Sequence, residues 1–235
     1  MAPELGHIEA VVFDLDGTLI DSAADIAHAL NAALAWGGLR GFDLATVRGW
    51  IGNGPNALIA NALKSQGADS DDLALRERLH QRFIEASHAA PFDHGSVYPG
   101  IVDMLGELHG RLPLAVVTNK PTPLARLVIE VAGLMPCLRQ VLGADTPQQR
   151  KPAPLNLQTT ARELGVEVSN VLMVGDAPPD MLAAQAAGCS SALVSWGYGA
   201  HAVSPQLKPQ PWRLEHPQQL TDGLRAAGRL PRAAP

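Results

Sequence analysis

The feature that most constrains this 235-residue chain is a recurring pair: a short run of apolar, often β-branched residues, then a stretch with helical periodicity. The runs fall at 10–13, 114–117, 140–142, 171–174 and 192–195, each bounded by turn residues. Runs so short and so uniformly apolar are predicted to be strands buried on both faces. Helical patterns separate them at 101–109 after Pro99, 123–132 ending at Gly133, 155–164 ending at Gly165 and 179–187 ending at Gly188. Strand then helix, repeated, predicts an α/β fold: a doubly wound, Rossmann-like parallel sheet covered on both faces.

Residues 22–91 break this rhythm. Alanine- and leucine-rich helical segments stand at 23–35, 56–66 and 72–89 with no convincing strand among them. The stretch therefore reads as a small helical cap domain inserted into a core made of residues 1–21 and 92–235. The segment 89–100, "AAPFDHGSVYPG", is the predicted return hinge, and "SPQLKPQP" at 204–211 a late surface loop.

With 46% hydrophobic and 17% charged residues the chain can bury a sizeable core. Its net charge of −5, with no basic block, predicts neither a nucleic-acid partner nor an anionic membrane surface. No apolar run approaches the ~18 residues a membrane span needs, and the N-terminal stretch has no positively charged start. Cys137 and Cys189 are isolated, which predicts two buried free thiols in a reducing cytoplasm.

The chemistry concentrates where strands end. In an extended segment residues i and i+2 point the same way, so Asp14 and Asp16 can face one cavity beyond the first strand. Two carboxylates so close call for a cation or a shared proton. The stretch "LMVGDAPPD" repeats the pattern: an apolar strand, Gly175, then Asp176, with Asp180 on one face of the helix that follows. Asp180 could equally be helix capping. Together the acids make an oxygen-rich site of the kind Mg²⁺ prefers. In "LAVVTNKP", Thr118 and Asn119 stand where a helix N-terminus can grip phosphate oxygens, or where an ordinary turn begins. Lys151, one of only four lysines, sits in "RKPAP" between strand and helix, a point cation to balance the acids and hold a phosphate.

In this order, "DLDGT", "VVTNK", "KPAP" and "GDAPPD" resemble the motifs of the haloacid dehalogenase superfamily of phosphohydrolases, and the insert resembles its small α-helical cap type. The stretches "GTLIDS", "GNGP", "YPG", "TNKP" and "WGYG" are similar to phosphoglycolate phosphatases. The resemblance implies that Asp14 is a nucleophile forming an aspartyl-phosphate and that Asp16 is the general acid and base. It implies Mg²⁺ held by Asp14, the Asp16 backbone carbonyl and Asp176, with Asp180 behind them, and charge on the transferring oxygens met by Thr118, the Asn119 backbone and Lys151. The substrate would be a small phosphate ester, and the protein a cytoplasmic monomer or homodimer.

One departure stands out. The superfamily carries a small hydroxyl residue after the acid that Asp176 matches, and often an Asn before the second acid; here Ala177, Pro178 and Pro179 intervene, which predicts altered metal affinity. Substrate choice falls to the cap. There the 52–54 turn either closes over a ligand or merely joins two helices, Arg48 or Lys120 could meet a substrate carboxylate, Arg48 and Asn53 are the candidate specificity residues of the cap, and Trp50 reads as a packing anchor close enough to the turn to touch substrate. Trp36, Trp196 and Trp212 read as packing anchors. Other phosphosugar phosphatases, pyrophosphatases and β-phosphoglucomutase-like mutases share this framework, and "APP" leaves room for a non-catalytic phosphate-binding protein. A signalling receiver domain gathers similar residues but places its acceptor aspartate on a middle strand.

Overall fold

The computed structural model describes residues 4–231. The chain runs through β1 (Ala10–Phe13), β2 (Ile20–Asp21), α1 (Ala23–Trp36), α2 (Leu44–Arg48), α3 (Pro55–Ser65), α4 (Leu73–Ala89) and β3 (Ser96–Val97). It then alternates: α5 (Ile101–Leu108), β4 (Leu114–Val117), α6 (Thr122–Val131), β5 (Gln140–Leu142), α7 (Leu155–Leu164), β6 (Val171–Gly175), α8 (Pro178–Ala187) and β7 (Ser190–Val194). Strand β8 (Trp212–Leu214) and helix α9 (Gln218–Ala226) follow.

Six strands form one parallel sheet in the order β5-β4-β1-β6-β7-β8. Every residue of β1, β4 and β6 is buried, because helices cover both faces, and this is why those segments are apolar throughout rather than alternating. Successive side chains of β1 still go to opposite sides. Val11 and Phe13 join a core with α5, α6 and α9, while Ala10 and Val12 join one with α7 and α8. The doubly wound parallel sheet expected from the sequence is the fold that forms. No described helix is long and apolar enough to cross a membrane.

Helices α1 to α4 enclose an apolar cluster of their own, built on Ile26, Leu30, Leu34, Leu58, Leu63, Leu79 and Phe83. The chain enters and leaves them side by side: β2 and β3 pair antiparallel, Ile20 against Val97 and Asp21 against Ser96. These strands are two residues long, too short to show any period, so the hinge reading of 89–100 held no hint of them. Asp25, in the first turn of α1, accepts a hydrogen bond from the His94 backbone N–H at 2.8 Å and so ties the returning segment to the outgoing one.

Two expectations need correction, and two elements had no counterpart in the sequence reading. Helix α9 and strand β8 were not anticipated: α9 carries a glycine in mid-helix, and only tertiary contact explains it, since a Cβ on Gly223 would collide with the Trp212 ring of β8. Cys137 is half-buried rather than buried, on the rim of a turn; Cys189 is buried, and that burial pushes its thiol up to about 12. Trp36 is not a packing anchor: it is 48% exposed at the end of α1, with the Arg82 guanidinium 4.6 Å from its ring centroid.

Candidate active site

Parallel strands in register end on one rim. Phe13 lies opposite Val116 of β4 and Val174 of β6, so Asp14, Thr118 and Asp176, each close beyond its strand, emerge together. The Asp14 N–H extends the ladder by donating to Val174 O at 2.8 Å. Asp180, on the first turn of α8, completes the group: Asp14, Asp176 and Asp180 are all buried and each offers an oxygen within 4.8 Å of the others.

Lys151 is the one ammonium set among these acids. Its Nζ lies 2.8 Å from Asp14 Oδ1 and 2.7 Å from Asp180 Oδ1, and donates to Val117 O at 2.7 Å. Burial by itself would lower its pKa, but Asp14 and Asp180 outweigh burial and raise it. One cation does not neutralise three carboxylates. Burial, followed by the mutual repulsion of the acids, pushes Asp14 up to about 6 and Asp176 up to about 8. Asp14 Oδ1 is also buried without a properly directed hydrogen bond, despite its short approach to Lys151. An all-oxygen, over-charged, buried set with an unsatisfied ligand atom fits a hard divalent cation.

Neighbouring loops hold these acids in place. The Tyr198 and Gly199 N–H groups donate to Asp176 Oδ2 at 2.7 and 3.2 Å, and Thr18 Oγ1 reaches Asp176 Oδ1 at 3.4 Å. Asp180 Oδ2 accepts from the Ala177 N–H at 3.0 Å, so it caps α8 and neighbours Lys151 at once. Gly17 turns at φ +86°, and a Cβ there would come within 2.6 Å of Asp176 Oδ2 and 2.9 Å of the Tyr198 ring. Gly17→Ala is therefore expected to lower the melting temperature by several degrees, since a strained φ alone costs about 1–2 kcal/mol; an unchanged thermal unfolding curve would contradict this.

Asp16 lines the same cavity as Asp14 but lies outside the buried triad. Its Oδ1 accepts from the Ser22 hydroxyl and its Oδ2 lies 3.0 Å from Lys120 Nζ. Ser22 precedes α1 without capping it, because its hydroxyl is turned to Asp16 instead. Thr118 is buried, its hydroxyl accepting from the Lys120 N–H. The Asn119 side chain is committed elsewhere: Oδ1 accepts from Lys151 N at 2.8 Å, and Nδ2 donates to Lys151 O and, at 2.8 Å, to Gly52 O of the helical insert. That leaves the Asn119 backbone N–H as its group for an anion.

Between the rim and the insert lies a small, partly open cavity. Asp14, Asp16, Thr118, Asn119 and Lys120 line its floor; Ile26, Trp50, Leu58, Phe83 and Leu124 line its walls, with Gly52 and Gly54 at one side. The 52–54 turn borders the cavity with Gly52 and Gly54, and Pro55 after it opens α3. Asn53 is exposed and outside the lining. Arg48 is also outside it, its guanidinium 2.8 Å from Asp21 Oδ2 and over the Tyr198 ring. Tyr198 donates in turn to Asp21 Oδ1 at 2.7 Å. Of the residues the sequence singled out, the rim gathers Asp14, Asp16, Thr118, Asn119, Lys151, Asp176 and Asp180, and the cavity does not include Arg48 or Asn53. Ser22, Tyr198 and Gly199 were given no role of their own; their only signal was that they lie in "GTLIDS" and "WGYG", two of the stretches that carry the resemblance.

The comparisons with known proteins agree with this arrangement. Residues 11–194 match the family described as haloacid dehalogenase-like hydrolase. The chain is 41% identical over 201 residues to a phosphoglycolate phosphatase of Rhodospirillum rubrum, covering 83% of each chain. It is 38% identical over 195 residues to one of Chromobacterium violaceum, covering 83% of this chain and 88% of that one. A crystal structure of a predicted phosphoglycolate phosphatase from Haemophilus somnus superposes with a TM-score of 0.82 at 27% identity, covering 92% of this chain and 97% of the other. With four motifs converging on one rim and a match spanning most of the sheet, the chain belongs to the haloacid dehalogenase-like hydrolases and is a phosphatase of that family.

Proposed function

We propose that this phosphatase is Mg²⁺-dependent, works through an aspartyl-phosphate on Asp14, and takes a small phosphorylated metabolite, 2-phosphoglycolate first among them. The observation that carries the reading is the buried triad of Asp14, Asp176 and Asp180 with Lys151, placed under a small covered cavity. The relatives at about 40% identity bear the name phosphoglycolate phosphatase, which supports the choice of substrate. Residues 22–91 act as the cap over a core of 1–21 and 92–235.

The Asp14 carboxylate attacks phosphorus as the bond from phosphorus to the leaving oxygen breaks, and Asp16 gives its proton to that oxygen. Water then attacks the phosphorus, Asp16 takes a proton from it, and Asp14 departs with its electron pair, leaving inorganic phosphate. Thr118, the Asn119 N–H and Lys151 face the charge on the transferring oxygens. The Asp14 carboxylate, the Asp16 carbonyl and Asp176 would hold Mg²⁺, with Asp180 behind them. When bound, that ion supplies the positive charge that lets an anionic nucleophile approach an anionic ester.

The test is turnover with Mg²⁺ across a panel of phosphorylated metabolites, with free phosphate and product both measured. Phosphoglycolate should lead. A sugar phosphate or pyrophosphate in first place would redirect the substrate, phosphoryl return to a sugar would make the enzyme a mutase, and no turnover of any ester would mark a binding protein. Asp180 and Asp176 keep their places in the cluster despite Ala177, Pro178 and Pro179, which favours the catalytic outcome.

The electrostatics add a second expectation. With Asp176 raised to about 8, a proton must leave before a cation can bind below that pH. Apparent Mg²⁺ affinity should therefore rise up to about tenfold per unit between pH 6 and pH 8, with release of about one proton per ion. Calorimetry in two buffers of different ionisation enthalpy measures both; a flat affinity across this range would mean the acids are already ionised.

A further inference from the structure

We propose that Lys120 selects the leaving group: it receives the carboxylate of a short acid esterified to the phosphate, while the apolar walls turn away hydroxyl-rich chains. The inference rests on the phosphatase reading above and names the residue that would give it a substrate.

Lys120 is the single lysine or arginine among the residues lining the cavity, and it is 9% exposed. Its Nζ lies 3.0 Å from Oδ2 of Asp16, the carboxyl group that protonates the bridging oxygen of the substrate in the proposed reaction. A cation that close to the bridging oxygen is within reach of a carboxylate attached one carbon away, and out of line with one at the end of a long chain. The competing cations stand elsewhere: Arg48 is paired with Asp21, and Arg150 is close to Gly54 but is not among the lining residues.

The other walls supply the negative half of the selection. Ile26, Trp50, Leu58, Phe83 and Leu124 offer apolar surface above the floor. A sugar hydroxyl pressed there without a partner gives up its hydrogen bonds to water, at a cost of roughly tenfold in affinity each. A smaller chamber continues past Lys120 and Leu124, but Asp25 lines it with an Oδ2 that has no hydrogen-bond partner. A carboxylate is repelled there and kept beside Lys120.

The test compares kcat/KM for 2-phosphoglycolate with that for ethyl phosphate, which has the same heavy-atom chain up to the second carbon but no carboxylate. It does so for the native protein, Lys120→Met, Lys120→Arg and Arg150→Met. A pairing role for Asp16 alone moves both substrates equally. Lys120→Met should lower phosphoglycolate turnover about 10- to 100-fold beyond its loss on ethyl phosphate, chiefly in KM, and raise the inhibition constant of glycolate by a similar factor. Lys120→Arg should keep most of the preference, and Arg150→Met should leave the ratio as in the native protein. Should Lys120→Met not fold, Lys120→Gln and Lys120→Arg carry the same comparison. Equal losses on both esters in the Lys120 variants, or collapse of the ratio in Arg150→Met, would overturn the inference while leaving the phosphatase reading intact. Native protein inert toward both esters would defeat that reading, and this inference with it.

Discussion

Asp14→Asn is expected to lower turnover of every phosphate ester by about 10⁴-fold or more, the scale on which removal of a covalent nucleophile acts. The amide keeps the shape of the carboxylate but is no nucleophile. The same change should not unfold the metal-free protein. Asp14 is one of three acids sharing a single ammonium, and burial raises its pKa to about 6. The sign follows from that direction. A carboxyl raised in the folded state costs nothing below its unfolded pKa near 4, and its ionisation opposes folding increasingly as pH climbs to the folded value. Asparagine removes that cost, while Lys151 keeps Asp180 and the Val117 carbonyl. Melting curves in EDTA should place the variant level with the native protein at pH 4.5 and at or above it at pH 7.5. Retained turnover would refute the nucleophile, and a large fall in melting temperature at pH 7.5 would refute the picture of repelling acids.

Lys151→Met should have the opposite effect on stability. The side chain is 1% exposed and its ammonium faces two buried carboxylates. Taking one partner out of a buried ionic group costs about 3–5 kcal/mol, because the remaining charges stay desolvated. For a chain of this size that is a fall of about 10 °C in melting temperature. Protonation of the orphaned acids softens the loss, so the variant should lie nearest the native protein around pH 5 and furthest from it around pH 8. Mg²⁺ should recover part of the difference by supplying the missing charge. Activity should fall as well, since the proposed mechanism uses this cation to balance the transferring oxygens. A variant as stable as the native protein at pH 8 without metal would show that the acids hold their protons regardless of Lys151.

Much of this was legible along the chain, for a reason that differs from element to element. The strands β1, β4 and β6 are buried on both faces, so their sequences are apolar runs that nothing else explains, and the acids closing β1 and β6 stand out against them. Gly175 shows what the sequence marks without explaining: a Cβ there would come within 2.4 Å of Asp180, which packs against it. The pair β2 and β3 could not be read, since two residues carry no period and their pairing partner lies across the insert. Asn119 shows a subtler limit. Its type and place pointed to anion binding, yet its side chain holds the Lys151 peptide and the carbonyl of Gly52, contacts 32 and 67 residues away in the chain.

The sequence by itself determined the parallel layered fold, the helical insert and the identity of the acids, since strand burial, helix termini and residue chemistry are local properties written where they act. Only the tertiary structure decided which cation faces the cavity. Arg48 and Lys120 looked interchangeable in a linear reading, but folding gives Arg48 to Asp21 and leaves Lys120 beside Asp16. Charge pairing between distant segments depends on where the chain folds back, and no spacing along it records that distance.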